Sequence, residues 1–320
     1  MSNSIEARMS ELMAAGADRL PLPGGGQTVR RWQALAAVAA ENLALVKVFE
    51  GHTDALAILA ELGGPAAPPG STWATWAAEP PAARLRLISD GNEVRLDGRK
   101  AWCSGARFVS HAVLTAWNEA DQQCLAMVRL DQPGVTVTTE GWHAVGMGQV
   151  PSGDVLFDSV PAASLGKPGD YTGRPGFWQG GAGIAACWYG GAIPFAIALR
   201  ERLAASIDPH GAAHLGSVDV ALRATRAALR EAADWIDAHP FEDAQVVTLR
   251  ARGTVEAAVD EVLRHASRAL GAGPLCRDPQ LAQRFADLPV FLRQSHAERD
   301  LAALGGLLAS GSDEPATWSL

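Results

Sequence analysis

The sequence predicts an α+β protein in three parts: an N-terminal helical domain, a middle antiparallel β-barrel or sandwich, and a C-terminal four-helix bundle. Apolar residues recur with a helical period up to about residue 62 and again after about residue 180. Between these regions, short apolar runs are bounded by Gly, Pro, Asn or Asp, which is typical of strands. The predicted domains are residues 1–66, 67–170 and 171–320.

Three helices are expected in the N-terminal part. Ile5, Met9 and Leu12 share one helical face. A second helix begins near Thr28, and a third is predicted to start at Thr53, whose hydroxyl can cap it. A connector rich in Pro and Gly, residues 63–70, then ends the domain.

The middle part contains short β-runs, and the C-terminal part contains longer helical segments. The predicted strands lie at about 84–88, 93–96, 112–117, 124–130, 135–139 and 154–157. The predicted helices of the bundle lie at about 181–206, 216–238, 242–270 and 279–309. Long helices joined by short loops favour an antiparallel bundle.

Composition excludes several classes of protein. The chain has 27 Lys+Arg against 35 Asp+Glu and a net charge of −8, without any basic run, which argues against a nucleic-acid binder. The most apolar stretch, 182–199, is interrupted by Gly190, Gly191 and Pro194 and is interpreted as a buried helix rather than a membrane span. The N-terminus has no signal-peptide pattern, so we expect a cytoplasmic protein.

The cysteines and histidines do not form a metal motif. Four cysteines lie far apart without a CxxC pair, which predicts buried free thiols and no disulfide framework. The histidines are scattered, and none is spaced from another like metal ligands on one helix face. We therefore expect no metal site.

Residues 98–106, after a predicted strand, are the first candidate for chemistry. Trp102 precedes Ser104 by two residues, so an indole face could cover a planar heterocycle while a hydroxyl bonds a ring nitrogen. The alternative is that Trp102 packs in the barrel and Ser104 closes a turn.

Two further candidates lie in the C-terminal part. His296 has Asp300 at i+4, which could orient the imidazole; the alternative is a solvated helix histidine. Arg268 precedes Gly271, and a helix that ends in glycine usually has an ordinary C-cap there.

Five segments, taken in order, resemble the acyl-CoA dehydrogenase flavoprotein family over about residues 20–310. They are WAAEPP (76–81), GRKAWCSGA (98–106), DQPGVTV (131–137), GMGQVPSGDVLFDSVPAASLG (146–166) and LGAG (270–273). The resemblance implies the same three-part fold, FAD between the last two domains, and a homodimer or homotetramer. It also implies a small acyl thioester as substrate and leaves the electron acceptor open.

The resemblance assigns roles to individual residues. Trp102 would lie against the isoalloxazine, and Ser104 would bond near its reactive nitrogen. Ala77 and Ala78 would offer backbone N–H groups to the pyrimidine edge. Gly271 belongs to the glycine turn, and Arg268 would hold the pyrophosphate; the alternative for Arg268 is a surface residue.

The departures from the family pattern concern the phosphate contacts and the base. The family's Arg-x-x-Phe-Gly segment is reduced to His210-Gly211, and its threonine before Glu-Pro is Ala78. The two positions where the family carries its base fall near Gly181 and near Ser295-His296, and neither holds a carboxylate. His296 is therefore assigned as the catalytic residue, with Glu298 as a substitute.

Three functions remain open from the sequence. The first is an FAD-dependent oxidoreductase that oxidises a CH–CH bond of an acyl thioester by hydride transfer to flavin. The second is a flavin-dependent monooxygenase or oxidase on the same fold. The third is a catalytically degenerate scaffold, which either binds flavin or is an apo protein.

Overall fold

A computed structural model describes residues 4–91, 93–311 and 318. The helices are α1 (Ile5–Ala14), α2 (Thr28–Glu41), α3 (Leu43–Glu61), α4 (Asp170–Gly173), α5 (Gly176–Ala205), α6 (Pro209–Ala238), α7 (Gln245–Leu270), α8 (Ala272–Arg277), α9 (Pro279–Leu292) and α10 (Glu298–Ala309). The strands are β1 (Trp73–Trp76), β2 (Leu85–Asp90), β3 (Glu93–Lys100), β4 (His111–Trp117), β5 (Gln123–Arg129), β6 (Val135–Val137) and β7 (Val155–Leu165).

The chain divides into two compact units, which are described separately below. The first, here the β unit, comprises Met1–Leu20, Ala44–Ala144 and Gly148–Phe177. The second, here the helical unit, comprises Pro21–Leu43, Val145–Met147 and Trp178–Leu320. The three-part division at residues 66 and 170 stays a prediction.

The strands of the β unit form a closed circuit. Backbone pairing runs β4–β2–β3–β7–β5, and β5 pairs again with β4, so the sheet returns to its starting strand. Strand β1 adds to β4, and β6 adds to β7. The predicted purely antiparallel arrangement is wrong in one respect: β1 and β2 each pair with β4 in parallel. Neither strand is joined to β4 by a hairpin, since other strands lie between them in the chain.

Helix α3 covers one side of this sheet. Its Ala55, Ile58 and Leu59 pack with Trp73, Val113, Leu125 and Leu165 in one buried cluster. The predicted helix start at Thr53 is wrong, because the helix begins at Leu43, directly after Asn42 ends α2. The Thr53 hydroxyl instead donates to the Glu50 carbonyl inside the helix.

A buried histidine joins three parts of the β unit. His52 Nδ1 accepts from the Trp73 backbone N–H at 3.1 Å, and Nε2 lies 3.4 Å from the Asp18 carboxylate. Since Nδ1 is an acceptor here, the ring is neutral. Burial lowers the pKa of His52 below its ordinary value near 6.5, although the bonded Asp18 raises it in part.

This histidine predicts acid sensitivity. Below pH 6.5 the unfolded chain protonates His52 while the folded chain does not, so the free energy of unfolding falls as the pH drops from 6.5 towards the lowered pKa. One such proton gives a slope of up to about 1.4 kcal/mol per pH unit. Urea unfolding between pH 7.5 and 5 should reveal the slope. The His52→Gln variant should flatten it, and replacing the exposed His143 with glutamine should not.

The helical unit is built on α5, α6, α7 and α9. Gly190 in α5 lies against the Ala36 carbonyl of α2 so closely that a Cβ would collide with it. At the far end of α2, the Thr28 backbone N–H donates to the Asp237 carboxylate at 3.0 Å. These contacts bring α2 into the bundle.

Two predicted helix boundaries in this unit are wrong. Helix α6 begins at Pro209 rather than residue 216, because Asp208 caps it and proline suits its first position. His210 and Gly211 therefore lie in a helical turn. The predicted helix 279–309 is interrupted after Leu292 by the loop 293–297, in which Ala297 has a φ of 49°.

Helix α5, the cysteines and the metal-ligating side chains also relate to expectations from the sequence. Helix α5 is long and apolar enough to cross a membrane by composition, but 61% of its most apolar window is buried in the protein. All four cysteines are free thiols; Cys103 and Cys187 are buried, whereas Cys124 is half-buried and Cys276 is exposed, so the expectation of buried thiols is wrong for the last two. Among the described residues, no group of three metal-ligating side chains is found.

Candidate functional site

The loop between β3 and β4 displays an indole ring to solvent. Trp102 is 57% exposed, so the alternative of a core tryptophan is wrong. Its backbone has a φ of 60°, a left-handed conformation that is unusual for a bulky residue. Strained backbone of this kind concentrates at ligand-binding and catalytic positions.

Ser104 lies in the same loop and is held on two sides. Its hydroxyl forms a hydrogen bond of 2.6 Å with the hydroxyl of Ser152, and its carbonyl accepts from the Trp76 indole N–H at 3.0 Å. Trp76 ends β1 directly before Ala77 and Ala78, which are half-buried and exposed. The loop therefore lies beside the segment that carries the two alanines. Ser152 was not identified from the sequence, because its partner is 48 residues away.

A cavity of about 220 Å³ opens beside Trp102 within the β unit. The Trp102 and Trp142 rings meet edge to face, with centroids 6.3 Å apart. The lining of the cavity also includes small side chains, the Arg99–Asp154 ion pair and Ser152. The Trp142 indole nitrogen is buried and has no hydrogen-bond partner among the described residues. Aromatic walls next to hydroxyls and an unpaired N–H suit a flat, polar-edged ligand.

An ion pair between the buried Lys100 and the half-buried Glu79 fixes the segment that carries Ala77 and Ala78. Lys100 Nζ donates to Glu79 Oε1 at 2.6 Å, and to the carbonyl and hydroxyl of Thr115 at 2.8 and 2.7 Å. Glu79 also accepts from the Trp117 indole N–H at 3.0 Å. Burial lowers the pKa of Lys100, and Glu79 opposes that effect. With these partners Glu79 serves as an anchor rather than as a base.

His296 lies in the helical unit, in the loop between α9 and α10. Its side chain is 61% exposed, and its Nδ1 lies 3.2 Å from Asp300 Oδ1. The second oxygen of Asp300 accepts from the His296 backbone N–H at 3.1 Å. The predicted i+4 pairing is confirmed, but His296 precedes α10 instead of belonging to a helix. Glu298 is exposed in the first turn of α10.

Arg268 and Gly271 lie at the carboxyl end of α7. Gly271 has a φ of 66° and caps the helix, its N–H bonding the Ser267 carbonyl. Arg268 belongs to a basic group on α6 and α7 with His210, His214, Arg264 and His265. His214 and His265 share a contact of 2.7 Å between their Nδ1 atoms. Burial, and then the neighbouring cations, lower the pKa of His214.

The predicted residues thus fall into separate clusters. Trp102, Ser104, Ala77 and Ala78 lie together in the β unit. Arg268 lies near the carboxyl end of α7. The loop that carries His296 is bonded by Arg252, which lies 16 residues earlier on the same helix, about 24 Å away along its axis.

Solved structures supply the comparisons, since no protein-family model and no curated protein matches the chain. Dibenzothiophene monooxygenase (TdsC) from Paenibacillus sp. A11-2 is 17% identical, with 98% of this chain and 90% of that one covered and a TM-score of 0.78. KijD3, solved with FMN and a dTDP-sugar, is 18% identical over 97% and 88%, with a TM-score of 0.80. Butyryl-CoA dehydrogenase from Megasphaera elsdenii is 14% identical over 94% and 89%, with a TM-score of 0.81.

The chain has the acyl-CoA dehydrogenase fold. The structural agreement extends over almost the whole chain, so the resemblance seen in the five sequence segments is confirmed at the level of the fold. The solved structures with this fold include proteins named as a monooxygenase and as a dehydrogenase. The fold alone therefore does not determine the reaction.

The β unit fits the ring part of a flavin. An exposed indole, a pair of hydroxyls and the backbone beside Ala77 and Ala78 provide a flat apolar surface with hydrogen-bonding groups at its edge. On the acyl-CoA dehydrogenase fold, these residues would hold the isoalloxazine. When bound, that ring would supply the electron transfer that protein side chains cannot perform.

Proposed function

We propose that this protein is a flavin-dependent oxidoreductase in which His296 exchanges the proton. The observation that carries the proposal is the strained, solvent-exposed Trp102 beside the Ser104–Ser152 hydroxyl pair. The indole meets Trp142 edge to face, and more than half of Trp102 stays exposed, so a flavin ring would cover a surface that the described residues leave open.

Among oxidoreductases, the geometry supports a reduced-flavin monooxygenase best. The reduced cofactor would deliver two electrons to O2, and with two protons one oxygen atom enters the substrate and the other leaves as water. An imidazole that is oriented by Asp300 and exposed to solvent can be reprotonated in each turnover. The similarity to TdsC, named as a monooxygenase, supports this choice.

Oxidation of an acyl thioester is the second candidate. It is supported by the high TM-score to butyryl-CoA dehydrogenase. That reaction needs a base at the α-carbon while hydride leaves the β-carbon. Here the positions implied for that base hold Gly181 and His296, so His296, with Glu298 as a substitute, would have to serve.

The cofactor is proposed to be FAD, as the sequence resemblance implies, with FMN as the alternative suggested by the FMN complexes of TdsC and KijD3. Arg268, with Arg264 one turn earlier on α7, supplies positive charge for a phosphate group. Binding of FAD in preference to FMN would support a role for this basic group.

The experiment that tests the function starts from the visible spectrum of the purified protein, with FAD and FMN titrated separately. The flavin-loaded protein is then reduced externally and mixed with air-saturated buffer and candidate substrates. In parallel, acyl-CoA thioesters are added to the oxidised protein without oxygen. Oxygen incorporation supports the monooxygenase, and bleaching by a thioester supports the dehydrogenase. A protein that binds neither flavin would overturn both and leave the scaffold interpretation.

The Trp102→Gly variant directly tests the ring surface, which is the name used here for the Trp102 indole with the Ser104 and Ser152 hydroxyls. Flavin affinity is expected to fall at least about fivefold, because a stacked aromatic contact contributes roughly 1 kcal/mol beyond its buried area. The free energy of unfolding of the flavin-free protein should stay the same or rise, since glycine relieves the strained φ of 60° and the lost ring is exposed. Trp102→Phe is the matched control and should retain most of the affinity. A large loss of stability without any loss of flavin would contradict the assignment.

A further inference from the structure

Helix α7 carries a half-buried cation, Arg252, that bonds the loop 293–297. The two terminal nitrogens of Arg252 donate to the Gly181 carbonyl in α5 and to the Gln294 carbonyl in this loop, each at 3.1 Å. Its guanidinium lies 4.8 Å from the centre of the Trp188 ring and 4.0 Å from an Asp300 oxygen. One arginine thus connects α5, the loop and the start of α10.

One turn further along α7, Glu256 holds the same loop by another pair of contacts. Its carboxylate accepts from the Ser295 hydroxyl and, at 2.6 Å, from Arg293. The same Ser295 hydroxyl also accepts from the Ala297 backbone N–H at 3.0 Å. Residues four apart lie on one face of a helix. A single face of α7 therefore contacts three consecutive residues, 293–295, directly before His296.

These contacts fix the residues that flank His296. Ser295 is bonded to Glu256, and Ala297 is kept at a φ of 49° that a non-glycine residue rarely adopts. Such a conformation persists only where surrounding contacts enforce it. The Asp300 carboxylate then accepts hydrogen bonds from the backbone N–H and from Nδ1 of His296. This leaves Nε2 as the ring nitrogen available for proton exchange.

We propose that Arg252 and Glu256 are positioning residues that form a two-point clamp, here the α7 clamp, holding His296 in its working orientation. The proposal rests on the role of His296 proposed above. Arginine is required at the first point because a planar fork can reach two carbonyl groups at once, which an ammonium cannot do as well. Neither residue is assigned to contact substrate or flavin.

The test compares Arg252→Gln with Arg250→Gln, a matched change at an exposed arginine on the same helix. Amide hydrogen exchange in residues 294–300 is measured on the full chain, and kcat and KM are measured on the flavin-loaded enzyme. We expect Arg252→Gln to speed exchange in this segment at least about tenfold. It should also lower kcat by about 10- to 100-fold with little change in KM, since small displacements of a catalytic group are costly.

Conservative variants separate positioning from general stability. Arg252→Lys should fall between the wild type and Arg252→Gln, and Glu256→Gln, which keeps an acceptor for Ser295, should lose less kcat than Glu256→Ala. If Arg252→Gln does not fold, the Glu256 pair decides. Unchanged exchange in residues 294–300, or faster exchange with unchanged kcat, overturns the clamp. A failure of the proposed function would appear separately, as a His296 variant with full activity.

Discussion

Replacing Lys100 with methionine is expected to lower the free energy of unfolding by about 3–5 kcal/mol, the usual cost of leaving one partner of a buried ion pair alone. Lys100 is 1% exposed and its ammonium has three acceptors, so the variant removes the charged partner of Glu79 and one donor to Thr115. Glu79 keeps only the neutral donors Trp117 and Thr115 among the described residues. Urea unfolding of the flavin-free protein measures the loss. Flavin affinity should fall as well, since Glu79 directly follows Ala78.

Two comparisons make this result specific. Lys167→Met changes an exposed lysine of the same unit and should shift stability by less than about 0.5 kcal/mol. The double variant Lys100→Met with Glu79→Gln removes both charges and should be less destabilised than the sum of the single changes. A loss below about 1 kcal/mol for Lys100→Met would show that the pair does not hold the segment, because it is far under the cost of an uncompensated buried charge.

Replacing His296 with alanine is expected to lower kcat by about 10²- to 10⁴-fold, the contribution of a positioned general acid or base. Flavin content and stability should be unchanged, because the side chain is 61% exposed and bonds only one carboxylate among the described residues. Turnover is measured with whichever substrate class the spectral experiment identifies.

Glu298→Gln is the matched comparison for the catalytic assignment. Glu298 is an exposed carboxylate two residues away, and its replacement should leave kcat within about twofold, as for surface changes away from the chemistry. If Glu298→Gln removes activity and His296→Ala does not, the proton passes through the carboxylate. Asp300→Asn should have an intermediate effect, since the amide keeps a contact to the imidazole but not its charge.

That Trp102 and Ser104 lie in one loop could be predicted from the sequence because the two residues are local. Trp102 and Ser104 are two positions apart, and the motif around them places both in one loop after a strand. By contrast, Ser152 and Glu79 depend on pairings over 48 and 21 residues, which are set by the strand register of the barrel. No period in the sequence reports such register.

The α7 clamp could not be predicted for a different reason. Arg252 and Glu256 are an arginine and a glutamate four residues apart on a helix, the spacing of an ordinary surface ion pair. Only tertiary structure shows that both face the loop instead. Likewise, residues 293–297 contain neither Gly nor Pro, so no helix-breaking residue marks the point where His296 leaves the helix.

The closed strand circuit also has a consequence for synthesis of the chain. Strand β7 pairs with β3, β5 and β6, so the circuit cannot close before residue 165 has left the ribosome. Until then β3 and β5 present unpaired edges, which are templates for association with other chains. Pairings between strands so distant in sequence also form slowly. The period between emergence of β3 and emergence of β7 is therefore when the unpaired strand edges of the growing chain are most open to association.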